Sequence, residues 1–326
     1  MLSEIAFYGA VETGLVYALV AFGIYLSFRV LNFPDLTVDG SFPLGAAVAA
    51  VLITQGHDPW LSTFVAILAG MAAGAVTALL NVRLNILHLL ASILTMIALY
   101  SINLRIMGKP NIALLGEQTV LTPWYDMGLP FHYAAPALFA IVVAISLIVL
   151  LGFMKSEAGL AMRATGANPK MARAQGIRTG LLIILGVALS NGLVALAGAL
   201  FAQSQGSADV TMGVGVIVAG LASLIGGEAM LTPRTVMRAL LACVIGAILY
   251  RLAIAFALNA EFLGLQTQDL NLITAVLVTF AIVLPNEVVF VELYLAAMQT
   301  GLYLTCINFH LTGPEIAYIV NDCEAD

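Results

Sequence analysis

Long apolar runs alternate with short polar breaks along the first 285 residues of the chain. Most runs have about the 20 residues that a helix needs to cross the hydrocarbon core of a bilayer. The segments are residues 7–28, a second run that ends near residue 53, and residues 61–80, 87–107, 135–154, 180–202, 213–227, 236–257 and about 270–285. The run at 213–227 is short and glycine-rich, so we expect it to be re-entrant or buried in protein. The pattern predicts an all-α polytopic membrane protein with eight or nine hydrophobic segments.

The composition supports this fold class. Hydrophobic residues make up 62% of the chain and charged residues 9%, whereas soluble globular chains carry about 25% charged residues. All 12 basic residues and 12 of the 18 acidic residues precede residue 286. The membrane part is therefore neutral, and nucleic acid is not an expected partner. The three cysteines and four histidines show no disulfide framework and no metal-ligand spacing, so no metal site is predicted.

Two polar breaks, at residues 32–43 and 201–209, interrupt the apolar pattern. Unpaired backbone groups are costly in hydrocarbon, so these breaks cannot lie as bare helix against lipid. A carboxylate in mid-bilayer costs about 2.5–3.5 kcal/mol on insertion scales, so it should face a water-filled path or a partner. The candidate translocation-path residues are Asn32, Asp35, Asp39, Asn191, Gln203, Gln205 and Asp209. The alternative is that these residues lie at the headgroup level as caps and turns.

The two breaks also divide the chain into two similar units. Each unit has a long span, a polar break with at least one carboxylate, and a glycine-bearing segment. The two units would cross the membrane in opposite directions. An inverted repeat with broken helices near its interface is a common arrangement in transporters, and the sequence predicts one here.

Residues 155–178, between two predicted spans, are strongly basic and hold five of the 12 Lys and Arg residues. Ser156 is predicted to cap a first short helix that ends at Gly166. Asn168 is predicted to cap a second helix, with Pro169 at its first position. The stretch therefore predicts a compact helix–turn–helix on one face of the membrane. A basic loop that only fixes the membrane topology is the alternative.

The distribution of basic residues sets the orientation. Counting alternate sides places nine of the 12 basic residues on the face that holds residues 155–178. An excess of Lys and Arg marks the cytoplasmic face, so residues 155–178 are predicted to be cytoplasmic and the N-terminus external. Residues 108–133 then form an external loop, which either helps to receive a binding protein or is a simple connector.

Eight positions of the basic loop have a fairly specific spacing: Glu157, Gly159, Arg163, Ala164, Gly166, Asn168, Ala172 and Gly176. They resemble the cytoplasmic loop of importer permeases of the ATP-binding-cassette (ABC) class, in particular the branched-chain amino acid and ribose type. The first polar break is similar to the same permeases at Asn32, Phe33, Gly40 and Gly45. Its stretch NFPDLTVDGSFPLGA looks most like the branch associated with aromatic amino acids.

The resemblance covers residues 1–285 and implies the transmembrane domain of an importer in the bacterial inner membrane. It implies that the loop seats in a groove of an ATPase subunit and transmits the closure of that subunit. The implied partners are two cytoplasmic ATPase subunits, an extracytoplasmic solute-binding protein and a second permease copy. The chain has no GxxxxGK[ST] loop, so it is not expected to cradle ATP itself, and neither a cofactor nor an enzyme activity is expected.

The expected function is import of an amino acid or a similar small polar solute by alternating access, driven by the partner ATPases. The main alternative is a gradient-driven secondary transporter with Asp35, Asp39 or Asp209 as its ion site. A membrane-embedded enzyme is a third possibility, but the sequence shows no paired carboxylates, His cluster or nucleophile–base set at helical spacing.

Residues 286–326 differ from the rest of the chain, with six acidic residues and no basic one. Their pattern predicts a short, soluble, α/β-like fragment. Within residues 283–326, the stretches LPNE, ELYLAA, GLYL and HLTGPEIAYIVND resemble an N-terminal segment of AMP-forming acyl-CoA synthetases. The phosphate loop and adenylate motifs of those enzymes are missing, so no ligase activity is implied. The hypothesis is a fusion, either genuine or produced by sequence assembly.

Overall fold

The computed structural model describes residues 4–126 and 131–259 of the chain, and these residues are mostly helical. The helices are α1 Glu4–Ile24, α2 Val38–Thr54, α3 Pro59–Leu84, α4 His88–Met107, α5 Thr122–Asp126, α6 Phe131–Lys155, α7 Glu157–Ala167, α8 Pro169–Ala174, α9 Thr179–Gln205, α10 Val216–Met230 and α11 Val236–Asn259. Two short strands, β1 Asn111–Ala113 and β2 Ser207–Asp209, pair antiparallel. The predicted all-α membrane class is confirmed for this part of the chain.

Six helical stretches among the described residues are long and apolar enough to cross a membrane. They are Glu4–Val30, Pro59–Leu84, His88–Met107, Tyr133–Lys155, Thr179–Gln205 and Val236–Phe256. The apolar helices α2 and α10 have 17 and 15 residues. At 1.5 Å per residue, α10 is about 22 Å long, shorter than the roughly 30 Å of hydrocarbon. The total of eight or nine segments stays a prediction, because the span at 270–285 and the fragment at 286–326 lie outside the described residues.

Helix α9 is the centre of the bundle, and it packs against α1, α2 and α3. Its contact with α2 is made directly by the two backbones. A Cβ at position 198 would lie 1.9 Å from the Phe42 carbonyl oxygen, and a Cβ at position 45 would lie 2.0 Å from the Ala195 carbonyl oxygen. Only glycine fits at either position, so Gly45 and Gly198 set the distance between the two helices.

The contact between α3 and α9 follows the same principle. The spacing of Gly70 and Gly74 indicates a small-xxx-small face for close helix packing, and the structure confirms it. A Cβ at position 74 would lie 2.4 Å from the Val187 carbonyl oxygen, and a Cβ at position 70 would lie 2.4 Å from the Ala195 Cβ. Helices α2 and α3 therefore both lie unusually close to the buried middle of α9.

The bundle has two distinct ends. At the hairpin end, β1 and β2 join the loop after α4 to the loop after α9, with Asn111 opposite Asp209 in the register. The last turns of α2 and α4 pack in the same apolar cluster as Ile112 and Ala208 of the strands. At the basic end, α7 packs against the end of α1 and the start of α9. The predicted helix–turn–helix therefore lies directly on the membrane bundle.

We expect Gly198→Ala to destabilise the protein by about 1–3 kcal/mol, the usual cost of overpacking, because the Phe42 carbonyl group cannot move without shifting α2. The measurement is the midpoint of thermal unfolding in detergent. The matched control is Gly152→Ala in α6, where a Cβ meets nothing within 4 Å. That control should be neutral or slightly stabilising, because alanine favours a helix over glycine by roughly 0.5–1 kcal/mol. Equal midpoints for the two variants would contradict the packing argument.

Candidate translocation and coupling site

The chain breaks between α1 and α2 and enters the interior of the bundle there. Helix α1 continues into a π-helical turn, Tyr25–Val30. Asn32 then adopts φ +52°, in the left-handed region that Asn tolerates better than most residues. The Phe33 N–H donates a hydrogen bond to the Ser27 carbonyl oxygen at 2.8 Å. Asn32 is thus an exposed turn residue, whereas Asp35, three residues later, is completely buried.

Asp35 lies in a buried cluster formed with Thr37, Ser41 and Asn191, hereafter the Asp35–Asn191 cluster. The Asn191 amide donates to the Asp35 carboxylate at 2.7 Å and to the Val187 carbonyl oxygen at 3.0 Å. The Ser41 hydroxyl donates to Asn191 Oδ1 at 2.6 Å, and the Thr37 N–H donates to Asp35 at 2.9 Å. These bonds offset the cost of burying polar groups. The cluster joins the break and α2 to α9.

A cavity of about 410 Å³ lies between α2, α4 and residues 210–214, hereafter the α2–α4 cavity. Its wall is mostly apolar and includes Pro43, Met96, Ile97 and Val214. Five polar or amphipathic residues also line it: Asp39, Tyr100, Ser101, Asn103 and Thr211. Of the predicted path residues, only Asp39 is in this lining. A concave, mainly apolar wall with a few polar groups is the usual form of a small-molecule site.

Asp39 has a second role, because it caps α10 from another helix. Its carboxylate accepts the N–H of Ile217 at 2.8 Å and that of Gly215 at 3.4 Å. The first turn of a helix carries partial positive charge and unpaired N–H groups, so a carboxylate is favourable there. Asp39 therefore fixes the start of α10 to the wall of the cavity.

Asn103 is a buried lining residue of the cavity with one unpaired polar atom. Its amide N–H donates to the Gly40 carbonyl oxygen at 3.2 Å. Its Oδ1 is buried and has no hydrogen-bond partner within residues 4–126 and 131–259. An unpaired buried acceptor costs about 1–3 kcal/mol, so this oxygen is an unusual feature beside the cavity. Asn103 is not among the predicted path residues, although an amide in an otherwise apolar span is a usable signal.

The remaining predicted path residues lie elsewhere. Gln203 is buried, donates to the Thr63 hydroxyl at 3.0 Å and accepts the Val120 N–H at 3.1 Å. It therefore links α9 to α3 and to the loop before α5. Gln205 is exposed in the last turn of α9. The structure brings neither residue to the α2–α4 cavity.

Asp209 lies on β2 at the hairpin end. It accepts the Thr211 hydroxyl at 2.5 Å, the Thr211 N–H at 2.7 Å and the Asn111 amide at 3.2 Å. The two bonds from Thr211, helped by Asn111, hold the pKa of Asp209 below its ordinary value. Asp209 is therefore a charged residue that closes a turn, which is the alternative that the sequence left open for it.

The basic loop folds as two helices, as the sequence predicts. Ser156 Oγ accepts the Gly159 N–H at 3.4 Å at the start of α7. Asn168 Oδ1 accepts the Met171 N–H at 3.0 Å, and Pro169 is the first residue of α8. These caps depend on residues close in sequence, which is why the pattern alone could find them.

The predicted end of the first helix at Gly166 is wrong, because α7 continues to Ala167. Gly166 lies inside the last turn and packs against the end of α1. A Cβ there would lie 1.9 Å from the Val30 carbonyl oxygen. Glycine is needed at this position for a tertiary contact, and the sequence pattern could not distinguish that need from a C-cap.

The eight predicted coupling positions divide into two sets in the structure. The inward set packs the loop onto the protein: Gly159, Gly166 and Ala172. The outward set is exposed: Glu157, Arg163, Ala164, Asn168 and Gly176. The outward set offers a surface for a partner, and the inward set places that surface against the bundle.

An ion pair continues the contact from α7 into α10. Arg29, beside Val30 in the π-helical turn, donates to both carboxylate oxygens of Glu228 near the end of α10. Glu228 is 10% exposed and Arg29 is 54% exposed. Helix α10 is therefore held at one end by Arg29 and at the other by Asp39. Glu228 was also missed from the sequence, although a carboxylate next to an apolar run is a signal of this kind.

The sequence matches the family described as branched-chain amino acid transport system / permease component over residues 6–299. The chain belongs to this family. The permease is 38% identical over 265 residues to a tyrosine transport system permease protein of Clostridioides difficile (strain R20291). The aligned residues make up 81% of this chain and 86% of the relative. It is 28% identical over 272 residues to a fructose import permease protein of Bifidobacterium longum (strain NCC 2705), with coverages of 80% and 71%.

A ribose import permease protein of Escherichia coli (strain K12) is 24% identical over 281 residues, with 83% of each chain covered. No solved structure significantly matches the permease. The resemblance to ABC importer permeases of the branched-chain amino acid and ribose type is confirmed, and such a permease is not an enzyme. The family and the six apolar helices indicate a multi-pass protein of the bacterial inner membrane.

Some expectations stay predictions. The roles of the path and coupling residues are untested. The predicted boundary between the transmembrane domain and the C-terminal fragment, at residue 285, is also untested, and the family match extends past it to residue 299. Among the residues that the structure describes, no three His, Cys, Asp or Glu side chains are grouped so that they could hold a metal ion.

We expect Asn191→Leu to destabilise the permease by about 3 kcal/mol, because it removes a hydrogen bond from the buried Asp35 carboxylate. The measurement is the fraction of permease that stays monodisperse after heating in mild detergent. Gln205→Leu, a matched change at an exposed position of the same helix, is the control. Asp35→Asn should be much less harmful in the Asn191→Leu background than in the wild type. Simple additivity of the two changes would contradict the proposed coupling within the cluster.

Proposed function

We propose that this permease is the membrane subunit of a binding-protein-dependent ABC importer for an amino acid or a similar small polar solute. The observation that carries the proposal is a continuous line of contacts from the exposed loop to the cavity. Gly166 of the loop packs on Val30, the neighbouring Arg29 binds Glu228 near the end of α10, and Asp39 at the cavity caps the start of α10. The proposed docking loop and the proposed solute cavity are therefore joined through packed elements.

The choice of solute class rests on relatives and on the cavity. The relative at 38% identity carries the name of a tyrosine transport permease, whereas the fructose and ribose permeases are 28% and 24% identical. The cavity combines an apolar wall with polar groups on Tyr100, Ser101 and Thr211. The polar end of an amino acid would bond to those groups while an apolar side chain lies against Met96 and Ile97. These features favour an amino acid over a sugar.

The partners follow from the two ends of the bundle. Two cytoplasmic ATPase subunits would dock on the outward set of loop residues, with residues 155–178 in the cytoplasm. An extracytoplasmic solute-binding protein would approach the hairpin end. A second permease copy would complete the pathway, as a homodimer.

The proposed mechanism is alternating access. Closure of the ATPases would press α7 against the end of α1, because Gly166 leaves no space between α7 and the Val30 carbonyl group. The Arg29–Glu228 pair would pass this movement to α10. Since Asp39 holds the other end of α10, the wall of the α2–α4 cavity would shift with it. The solute would then be exposed to one side of the membrane at a time.

The predicted inverted repeat fits this mechanism. One unit would be α1, the break and α2, and the other would be α9, residues 206–215 and α10. In each unit a long helix is followed by a non-helical segment and a short apolar helix. The units also hold one another, because Asp39 of the first caps α10 of the second. A rocking motion between two such halves is a general transport mechanism.

A gradient-driven transporter needs a carboxylate that is available to an ion or a proton. Each of its three candidates, Asp35, Asp39 and Asp209, already accepts at least two hydrogen bonds within the protein. Releasing any of them would disrupt a turn, a cap or the Asp35–Asn191 cluster. This argument supports the ATP-driven alternative.

We expect Arg163→Glu to uncouple transport, because Arg163 is exposed on α7 and its charge would be reversed at the docking surface. In proteoliposomes with the ATPase subunits, the loaded binding protein should no longer stimulate ATP hydrolysis, and uptake should fall at least tenfold, the effect of about 1.4 kcal/mol. The control is Arg238→Glu, which reverses the charge of an exposed residue in α11 outside the loop. This variant should keep both the stimulated ATP hydrolysis and the uptake. Normal stimulation in the Arg163→Glu variant would contradict docking at this surface.

We expect Asn103→Leu to lower the uptake of the solute about tenfold while leaving the basal ATPase activity of the assembled transporter intact. The change keeps the approximate size of the side chain but removes one buried hydrogen-bonding group. Uptake of radiolabelled tyrosine into proteoliposomes is the measurement. Thr54→Val, a similar loss of a polar group at the end of α2 away from the cavity, is the control. Unchanged uptake in the Asn103→Leu variant would exclude the cavity from the path.

A further inference from the structure

A second pocket, of about 370 Å³, lies at the basic end between the last turn of α3, α8 and the start of α9. Three arginines line it: Arg83, Arg173 and Arg178. None of its described lining residues is acidic. Within the described part of the chain the only ion pair is Arg29–Glu228, which lies elsewhere. The three guanidinium groups therefore have no carboxylate partner in this part of the protein.

The backbone adds to the positive charge of this pocket. Thr179 and Gly180, in the first turn of α9, are part of the lining. The Thr179 N–H already donates to the Ile177 carbonyl oxygen, so the start of α9 contributes the partial positive charge of a helix N-terminus. The Arg173 Nε donates to the Thr179 hydroxyl at 2.8 Å, which holds that guanidinium group at the start of α9. The pocket thus combines this partial charge with three cationic side chains.

The other side of the pocket is apolar. Val82, Ile177, Leu181 and Ile184 complete the lining. Leu181 is 58% exposed, and Leu185, one helical turn further along α9, is 41% exposed. Apolar side chains thus continue from the pocket along the outer surface of α9, in the direction of the membrane core. An inorganic anion would make no contact with these apolar side chains, whereas the acyl chain of a lipid would pack against them.

We propose that this pocket binds the phosphate headgroup of an anionic phospholipid, with an acyl chain along Leu181 and Leu185. Guanidinium groups bind phosphate oxygens in pairs of parallel hydrogen bonds. Basic pockets between membrane helices on the cytoplasmic side are a general form of lipid headgroup site. The assignment to the cytoplasmic leaflet rests on the proposed orientation, but the binding itself does not. The lipid would connect α8 of the basic loop to α3 and α9.

The test uses the full-length permease in a mild neutral detergent, with phosphatidylglycerol as the probe and native mass spectrometry to count bound lipid. Wild-type permease should retain phosphatidylglycerol in preference to phosphatidylcholine. Arg83→Gln combined with Arg178→Gln should weaken phosphatidylglycerol binding about 30-fold, because each basic residue near an anionic lipid surface contributes roughly fivefold. The control, Arg234→Gln combined with Arg238→Gln, removes the same charge outside the pocket and should bind as the wild type does.

Three results would overturn the proposal. Equal weakening in the two double variants would mean that only net charge matters. Displacement of the lipid by inorganic phosphate at comparable concentration would mean a free-anion site. Loss of ATPase-subunit pull-down with unchanged lipid binding in the Arg83/Arg178 variant would mean a protein-docking site. Elution and thermal unfolding of both double variants without added lipid establish that each is folded.

Discussion

The architecture depends on how closely α9 approaches α2 and α3. Lipid tails are as apolar as leucine side chains, so burial alone gives membrane helices little reason to associate, and close packing and interhelical hydrogen bonds hold them together. Gly45 and Gly198 allow the α2 and α9 backbones to touch. This short distance brings Asn191 within reach of Asp35 and Ser41. A carboxylate can therefore be buried at the break because two helices lack side chains at their crossing.

Features that depend on neighbours in sequence were predictable. The lengths of the apolar runs located the membrane helices, and Ser156 and Asn168 located the starts of α7 and α8. Gly166 shows the limit of this reasoning: a glycine near a helix end is typical of a C-cap, but its reason here is the Val30 carbonyl group, 136 positions earlier in the chain. Contacts of that kind cannot be deduced from a local pattern.

For the candidate site, too, the sequence predicted some of the residues at the cavity and not others. The cost of burying polar groups selected Asp39, which lines a cavity. The same argument also selected Gln203 and Asp209, which join loops and close a turn. Asn103 was overlooked because one amide in an apolar helix can equally well be a packing residue. Its position opposite Gly40 depends on how α2 and α4 cross, and nothing in either helix alone specifies that crossing.

Arg29 and Asp39 lie on either side of the non-helical residues 31–37, and they hold opposite ends of one short helix. The part of α10 between Ile217 and Glu228 is roughly 16 Å long at 1.5 Å per residue. A helix of this length resists stretching, so it works as a splint across the break and fixes the separation of the two residues that flank it. Lengthening or straightening of the break would have to separate Asp39 from Ile217 or Arg29 from Glu228. A change in the break and a movement of α10 are therefore coupled through these two contacts.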